Sequence, residues 1–374
     1  MNIHHIREAH FRSGVVCPRC GSKSTKRDGK MVGTGRQRYF CKACGRTFSD
    51  LTGTPLSYTK KSAEMWDEMA RCMREGKSLR ATAEELNIAV STAFAWRHKI
   101  LASLREHTDE DSELDGIVEA DETFFRRSYK GSHFKDKLNP DARKRDFEQR
   151  FGRKPRKHGK GAYNQGVHKR GRSKDQVPVL VLRDRTARTV SLVLERVDAQ
   201  TLRQEMIPVL GTDVVLCTDA LPAFKKVCKD AAIEHVALNA KAGVRSRGVY
   251  HIQNVNAYHG RLKDWMVRFK GVATKYLANY MTWFEYLDTT RAITSGVWER
   301  RFLAMACIDT KKIHRKMVYT SECAICHQPI RTTDEAATLI CVSHETGERK
   351  PDRLCHTACY DALIAETHAS QAIS

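Results

Sequence analysis

The stretch GIVEADETFF, Gly116 to Phe125, decides how the middle of the chain is read. Its apolar and aromatic residues favour a strand from Ile117 to Phe125. Side chains alternate across a strand, so Glu119, Asp121 and Thr123 share one face and Glu122 takes the other. An acidic residue inside a strand, rather than at its end, asks what that carboxylate does.

Downstream, after the basic run Arg126 to Lys174, the strand texture returns. VPVLVLRDR and TVSLVLERV read as paired strands, and AQTLRQEMIPVL as a helix. DVVLCTDA is a strand ending at Asp219, and PAFKKVCKDAA is a helix with Pro222 in its first turn. EHVALNA is a short strand, followed by helices in NVNAYHGRLKDWMVRF and VATKYLANYMTWFEYL. The order β-β-β-α-β-α-β-α with a second closing helix predicts a mixed sheet with helices on its faces, over about residues 106–300. The basic run is either solvated or a phosphate grip beside the acidic strand.

Two aspartates on neighbouring strands, Asp121 and Asp219, can hold Mg²⁺ or Mn²⁺ through hard oxygens, with waters and phosphate completing the shell. Two such ions about 4 Å apart serve phosphoryl transfer. The plainer alternative is that both are turn or strand-end residues.

N-terminal to this, Cys17, Cys20, Cys41 and Cys44 form two CxxC pairs, with Gly21 and Gly45 after each. Four soft ligands on two tight knuckles predict a structural zinc ribbon over residues 1–55. Residues 56–105 carry apolar residues at helical spacing, including Met69, Leu79, Ala83, Leu86, Val90 and Ile100. The break at Asn87 to Val90, with Ser91 as N-cap, reads as a helix-turn-helix whose second helix presents Thr92, Trp96, Arg97 and Lys99 to a major groove. The alternative is a small helical bundle with a solvated basic face.

From about Met317 acid outweighs base. Cys323 and Cys326, then His356 and Cys359, suit a treble-clef-like zinc knuckle within 317–374, with Cys355, Cys341 and His344 as rival ligands. An acidic module is a poor DNA binder, so a protein contact or a stabilising cap fits it better. Cys72, Cys217, Cys228 and Cys307 stand alone and read as buried small hydrophobes.

The chain of 374 residues has 13 cysteines and a net charge of +21. That charge calls for a polyanionic partner, double-stranded DNA above all. No run of about 18 apolar residues predicts a membrane span, and the start lacks an apolar leader, so a cytoplasmic, nucleoid-associated protein of a reducing compartment is expected.

VEADETFF, CTDALPAF and HIQNVNAYHGRLKDWMVRFKGVATKYLANYMTWF, preceded by the cysteine ribbon and helix-turn-helix, resemble the bacterial ISXO2-like insertion-sequence transposases. The resemblance runs over roughly residues 15–290 in the family's order. It implies an RNase H-like catalytic core and a metal-dependent DNA transposase with Asp121, Asp219 and a third residue, Glu or Asn in the family, at Asn256. Asn256 lies 37 positions after Asp219, and Lys263, where the family is basic, follows by seven. Seven residues are two helical turns, so Asn256 and Lys263 share a face.

Asn departs from the commoner Glu. Its amide oxygen can ligate Mg²⁺ but adds no charge, so a second ion would lean on phosphate and on Glu119 or Glu122. Glu119, on the face of Asp121, is the better candidate; its plain reading is a surface carboxylate. The implied reaction joins two element ends, so a homo-oligomer is expected. A catalytically silent DNA-binding regulator, or a nuclease without strand transfer, shares the ribbon, the helices and the charge but does not need the four spaced residues.

Overall fold

The computed structural model describes residues 3–12, 14–32, 35–59, 61–108, 113–128, 130, 152, 176–239, 242–308, 336–339 and 353–356. Residues 1–12 and 59–308 form one compact unit, and residues 13–58 belong to another. The N-terminal helix α1 (Ile3–His10) therefore belongs with the larger unit and not with the ribbon expected over 1–55. Its His10 Nδ1 lies 3.2 Å from the Cys307 carbonyl.

The ribbon is a three-stranded antiparallel sheet of β1 (Thr25–Lys30), β2 (Gln37–Cys41) and β3 (Thr47–Ser49). Gly21 and Gly45 hold positive φ of 72° and 67°, where a Cβ would be strained. Their N–H groups donate back to the carbonyls of Cys17 and Cys41, closing each knuckle.

In the larger unit three helices come first: α2 (Ala63–Arg74), α3 (Leu79–Glu85) and α4 (Val90–Thr108). Ser78 caps α3, its hydroxyl accepting from the Ala81 N–H. The α3–α4 turn passes through Asn87 at φ 47°, a left-handed conformation that Asn tolerates. α4 starts earlier than expected: the Ala89 carbonyl accepts from Thr92 and Ala93, so Ser91 lies inside the first turn, and Val90 is exposed rather than core.

The sheet follows: β4 (Leu114–Arg126), β5 (Gln176–Asp184), β6 (Thr189–Val193), helix α5 (Ala199–Met206), β7 (Leu210–Asp219), α6 (Pro222–Asp230) and β8 (Glu234–Leu238). Its order is β6-β5-β4-β7-β8. β5 and β6 run antiparallel as a hairpin beside β4, while β4, β7 and β8 are parallel. α5 and α6 cover one face. Leu180, Leu182, Leu216, Leu202, Met206 and Phe224 form its core there, each fully buried. Such side chains contribute about 1.5–3 kcal/mol apiece on leaving water.

A two-residue ladder of β9 (Ser246–Arg247) and β10 (Tyr250–His251) leads into α7 (Gln253–Val267), then α8 (Leu277–Thr289) and α9 (Val297–Met305). α7 packs on β4 and β5, and α8 on β6 and α4. Trp265, Phe269, Tyr280, Trp283 and Phe284 interlock between α7 and α8 with ring centroids 4.8–6.2 Å apart. α1 and α9, which close this unit, had no clear signal in the sequence.

The packing corrects two predicted DNA contacts. Trp96 is buried and stacks on Trp66, centroids 4.0 Å apart. Arg97 is fully buried, over the Trp283 ring at 4.8 Å, and donates to the Lys77 carbonyl and the Thr82 hydroxyl. α4 turns this stripe inward because α2 packs on Trp96 and α8 on Arg97; Thr92 and Lys99 stay half-buried.

Most of the basic run 126–174 lies outside the described residues, as do Cys323, Cys326 and Cys359. His356 closes β12 (Arg353–His356), which pairs antiparallel with β11 (Ala336–Leu339).

Candidate active site and cysteine centre

β4 and β7 run parallel with Ala120 beside Thr218, and each strand's next residue is an aspartate. Asp121 and Asp219 thus sit side by side at one level of the sheet. On the other flank Asp121 faces Val181 of β5. Asp219 ends its strand, and its Oδ1 accepts from the Leu221 N–H at 3.1 Å, turning the chain into α6. The Asp121 side chain is only 20% exposed. Burial, and then the charges of Glu122 and Asp219, push its carboxyl up to about 7, while Lys263 works in the opposite direction. An acid held this high is a place where positive charge is wanted.

α7 crosses this face of the sheet, and Glu119 fixes where it starts. Glu119 is fully buried. One carboxylate oxygen accepts from the Val255 backbone N–H at 3.0 Å, and the other from Asn254 Nδ2 at 2.8 Å and Arg185 Nη1 at 2.5 Å. His251 Nδ1 lies 3.2 Å away. A carboxylate on the first free N–H groups of a helix satisfies them and complements the helix dipole. Glu119 is therefore neither a surface carboxylate nor free to hold an ion, which corrects both readings of it; its oxygens are already committed to α7. Position on the face of Asp121 was the only signal in the sequence, and it did not reveal this role.

Along α7, Asn256 and Lys263 are exposed and lie two turns apart on one side, as predicted. Between them His259 is buried, with Nδ1 3.7 Å from Asp121 Oδ2 and Nε2 without a hydrogen-bond partner. Burial, then the charge of Lys263, lowers its pKa to about 4, so the ring is neutral near pH 7. The structure thus brings Asp121, Asp219, His259 and Lys263 into one electrostatic neighbourhood. His259 was not among the predicted site residues; its place three residues after Asn256 was the available clue.

The donors present fit a divalent cation. They are hard oxygens on two adjacent strands, with an acid destabilised for want of a counter-charge. Asp121, Asp219 and His259 do not yet converge on one ion: among the described residues the only group of three or more Cys, His, Asp or Glu side chains close enough to share one is Cys17, Cys20, Cys41 and Cys44. Their sulfurs lie within 4.8 Å of one another, with Cys17–Cys44 at 3.8 Å and Cys20–Cys41 at 3.6 Å. Four thiolates about 2.3 Å from a tetrahedral zinc would be close to these separations. Cys72, Cys217, Cys228 and Cys307 are buried, as predicted for small hydrophobes.

The described helices include none long and apolar enough to cross a membrane. Residues 113–288 match the family described as ISXO2-like transposase domain. A protein of Halobacterium salinarum described as an uncharacterized protein in transposable element ISH50 is 25% identical over 292 residues, covering 75% of this chain and 87% of that protein. Two solved structures of the Mos1 transposase, a pre-cleavage transpososome and a paired-end complex with Mn, align at 12% and 14% identity over 69% of this chain and 83% and 82% of theirs. Their TM-scores of 0.21 and 0.24 are too low to bear on the fold. The family match spans the whole sheet, α7 and α8. Residues 113–288 are thus similar to the ISXO2-like transposase domain, and Asp121, Asp219, Asn256 and Lys263 all lie within the matched stretch.

Proposed function

We propose that this chain is a DNA transposase that cuts the ends of an insertion element and joins the freed 3′-hydroxyl to target DNA. The observation that carries the reading is the pairing of Asp121 and Asp219 at the end of the parallel β4–β7 ladder, under the helix that bears Asn256 and Lys263. The sheet order, with a central strand flanked by an antiparallel hairpin on one side and parallel strands on the other, supports an RNase H-like core over 106–300.

Asp121 and Asp219 hold the divalent cations, Mg²⁺ or Mn²⁺, with the Asn256 amide oxygen as a neutral third donor. When bound, such ions supply the charge that activates an attacking oxygen and stabilises the leaving one. The first attacking oxygen is water's: it bonds to phosphorus at the element end, and the 3′-oxygen leaves. That 3′-hydroxyl then attacks a target phosphodiester, displacing its 3′-oxygen in turn. Lys263 pairs with a phosphate beside the reacting bond. Glu119 keeps α7, and so Asn256 and Lys263, at a set distance from Asp121. The protein's contribution is positioning and charge neutralisation.

Zinc on Cys17, Cys20, Cys41 and Cys44 holds the ribbon, and the helices of 56–105 with the ribbon hold double-stranded DNA. In that reading Thr92 and Lys99 remain contacts and Trp96 and Arg97 do not. Two ends must be brought together, so the working form is a homo-oligomer. The C-terminal module, 317–374, carries the second zinc.

Cleavage of labelled element-end DNA in Mg²⁺ tests the assignment. Asp219→Ala is expected to abolish cutting while end binding in a mobility-shift assay stays near wild type. Full cleavage by that variant would sink it.

A further inference from the structure

We infer that His259 is itself a ligand of the divalent cation at this site, donating a nitrogen lone pair beside the carboxylate of Asp121. The inference rests on the reading of Asp121 and Asp219 as the cation site, and deepens it.

Three observations carry it. The first is distance. His259 Nδ1 is 3.7 Å from Asp121 Oδ2. Two donors each about 2.1 Å from one ion lie about 3 Å apart when cis and about 4.2 Å when trans. The observed gap falls between these, so a cation can seat between the two atoms with little movement. It is also too long for a hydrogen bond, so Asp121 is not simply the ring's acceptor.

The second is satisfaction. Buried imidazoles as a rule have their nitrogens bonded. Here Nδ1 meets only Asp121, at that long separation, so no hydrogen bond accounts for its lone pair and a cation would. The proton of the neutral ring is then on Nε2, which is also buried and has no hydrogen-bond partner. The third is mounting. His259 is on the buried side of α7, one turn after Asn256 and one before Lys263, on the helix whose first turn is tied to β4 through Glu119. A ligand needs such fixed support.

An imidazole changes what the site prefers. All-oxygen sites suit Mg²⁺, whereas a nitrogen donor raises affinity for transition ions. It also answers the weakness left by Asn256: His259, a turn deeper in the same helix, adds a strong donor beside the neutral amide oxygen of Asn256.

The test uses Mn²⁺ as the probe on the zinc-loaded full chain. Pulsed electron spin-echo modulation is recorded for wild type, for wild type labelled with ¹⁵N-histidine, and for His259→Gln and Asp219→Asn. The expected result is ¹⁴N modulation in wild type that changes to the ¹⁵N pattern on labelling and disappears in His259→Gln. Mn²⁺ affinity should fall on the order of tenfold or more in that variant, with Mg²⁺ affinity changing less. The labelled wild type shows whether any histidine nitrogen is bound, and loss of the modulation in His259→Gln, with Mn²⁺ still held, assigns it to His259. Mn²⁺ binding that requires Asp219 but shows no histidine nitrogen overturns the ligand assignment and leaves the transposase reading standing. Modulation that survives in His259→Gln also overturns it. No Asp219-dependent Mn²⁺ binding at all overturns the cation site itself.

Discussion

Removing the Glu119 carboxylate is the sharpest test of how this site is held. In Glu119→Ala the buried Val255 N–H at the start of α7 loses its acceptor, and Arg185, whose side chain is 29% exposed, loses its buried counter-charge. An unsatisfied buried donor costs about 1–3 kcal/mol. Breaking a buried ion pair on one side costs about 3–5 kcal/mol, and the partial exposure of Arg185 calls for the low end or less. The Asn254 contact adds little, because that residue is exposed. Together these give a loss of about 3 kcal/mol, which for a unit of this size is about 6–12 °C in Tm. Glu119→Gln keeps an acceptor for Val255 but not the charge, and should lose about half as much. Urea unfolding of the full chain measures the loss, and hydrogen exchange at the Val255 amide locates it. A Glu119→Ala protein within 0.5 kcal/mol of wild type, with Val255 still protected, would refute the clamp. Cleavage should fall with it, because Lys263 and Asn256 ride on the same helix.

Three other outcomes are expected. Asn256→Glu should keep or raise strand cleavage by adding charge to the cation site, whereas Asn256→Ala should lower it; normal transposition by the alanine variant would remove Asn256 from the ligands. Cys41→Ser should cut bound zinc from two ions to one per chain by metal analysis and unfold the ribbon, since structural zinc sites supply folding free energy directly. Arg97→Ala should destabilise the larger unit by about 2–4 kcal/mol, through the lost packing on Trp283 and the orphaned Lys77 carbonyl and Thr82 hydroxyl, without weakening DNA binding per folded molecule. A stable Arg97→Ala protein with weak DNA binding would restore Arg97 as a contact.

What the sequence determined by itself was whatever rests on local rules. CxxC spacing with glycines at the knuckles is a complete local instruction for four converging sulfurs. Period-2 alternation put Asp121 and Glu119 on one face, and helical period put Asn256 and Lys263 on one side. The strands and helices from Gln176 to Thr289 were legible from the same kind of signal: α6 buries one patterned face, and β5 is a continuous apolar run buried on both faces. Tertiary structure decided which face meets what. Trp96 and Arg97 looked like DNA contacts because basic and aromatic residues on a second helix carry that meaning locally; α2 covers Trp96, and α8, distant in sequence, covers Arg97. Glu119 looked like a spare ligand because nothing nearby in the chain shows that the first turn of α7, 135 residues later, will claim its oxygens. His259 carries no local mark that separates it from a core histidine. Only the packing of α7 on β4 sets its ring against Asp121, and that contact spans 138 residues of chain whose ends the sheet alone brings together.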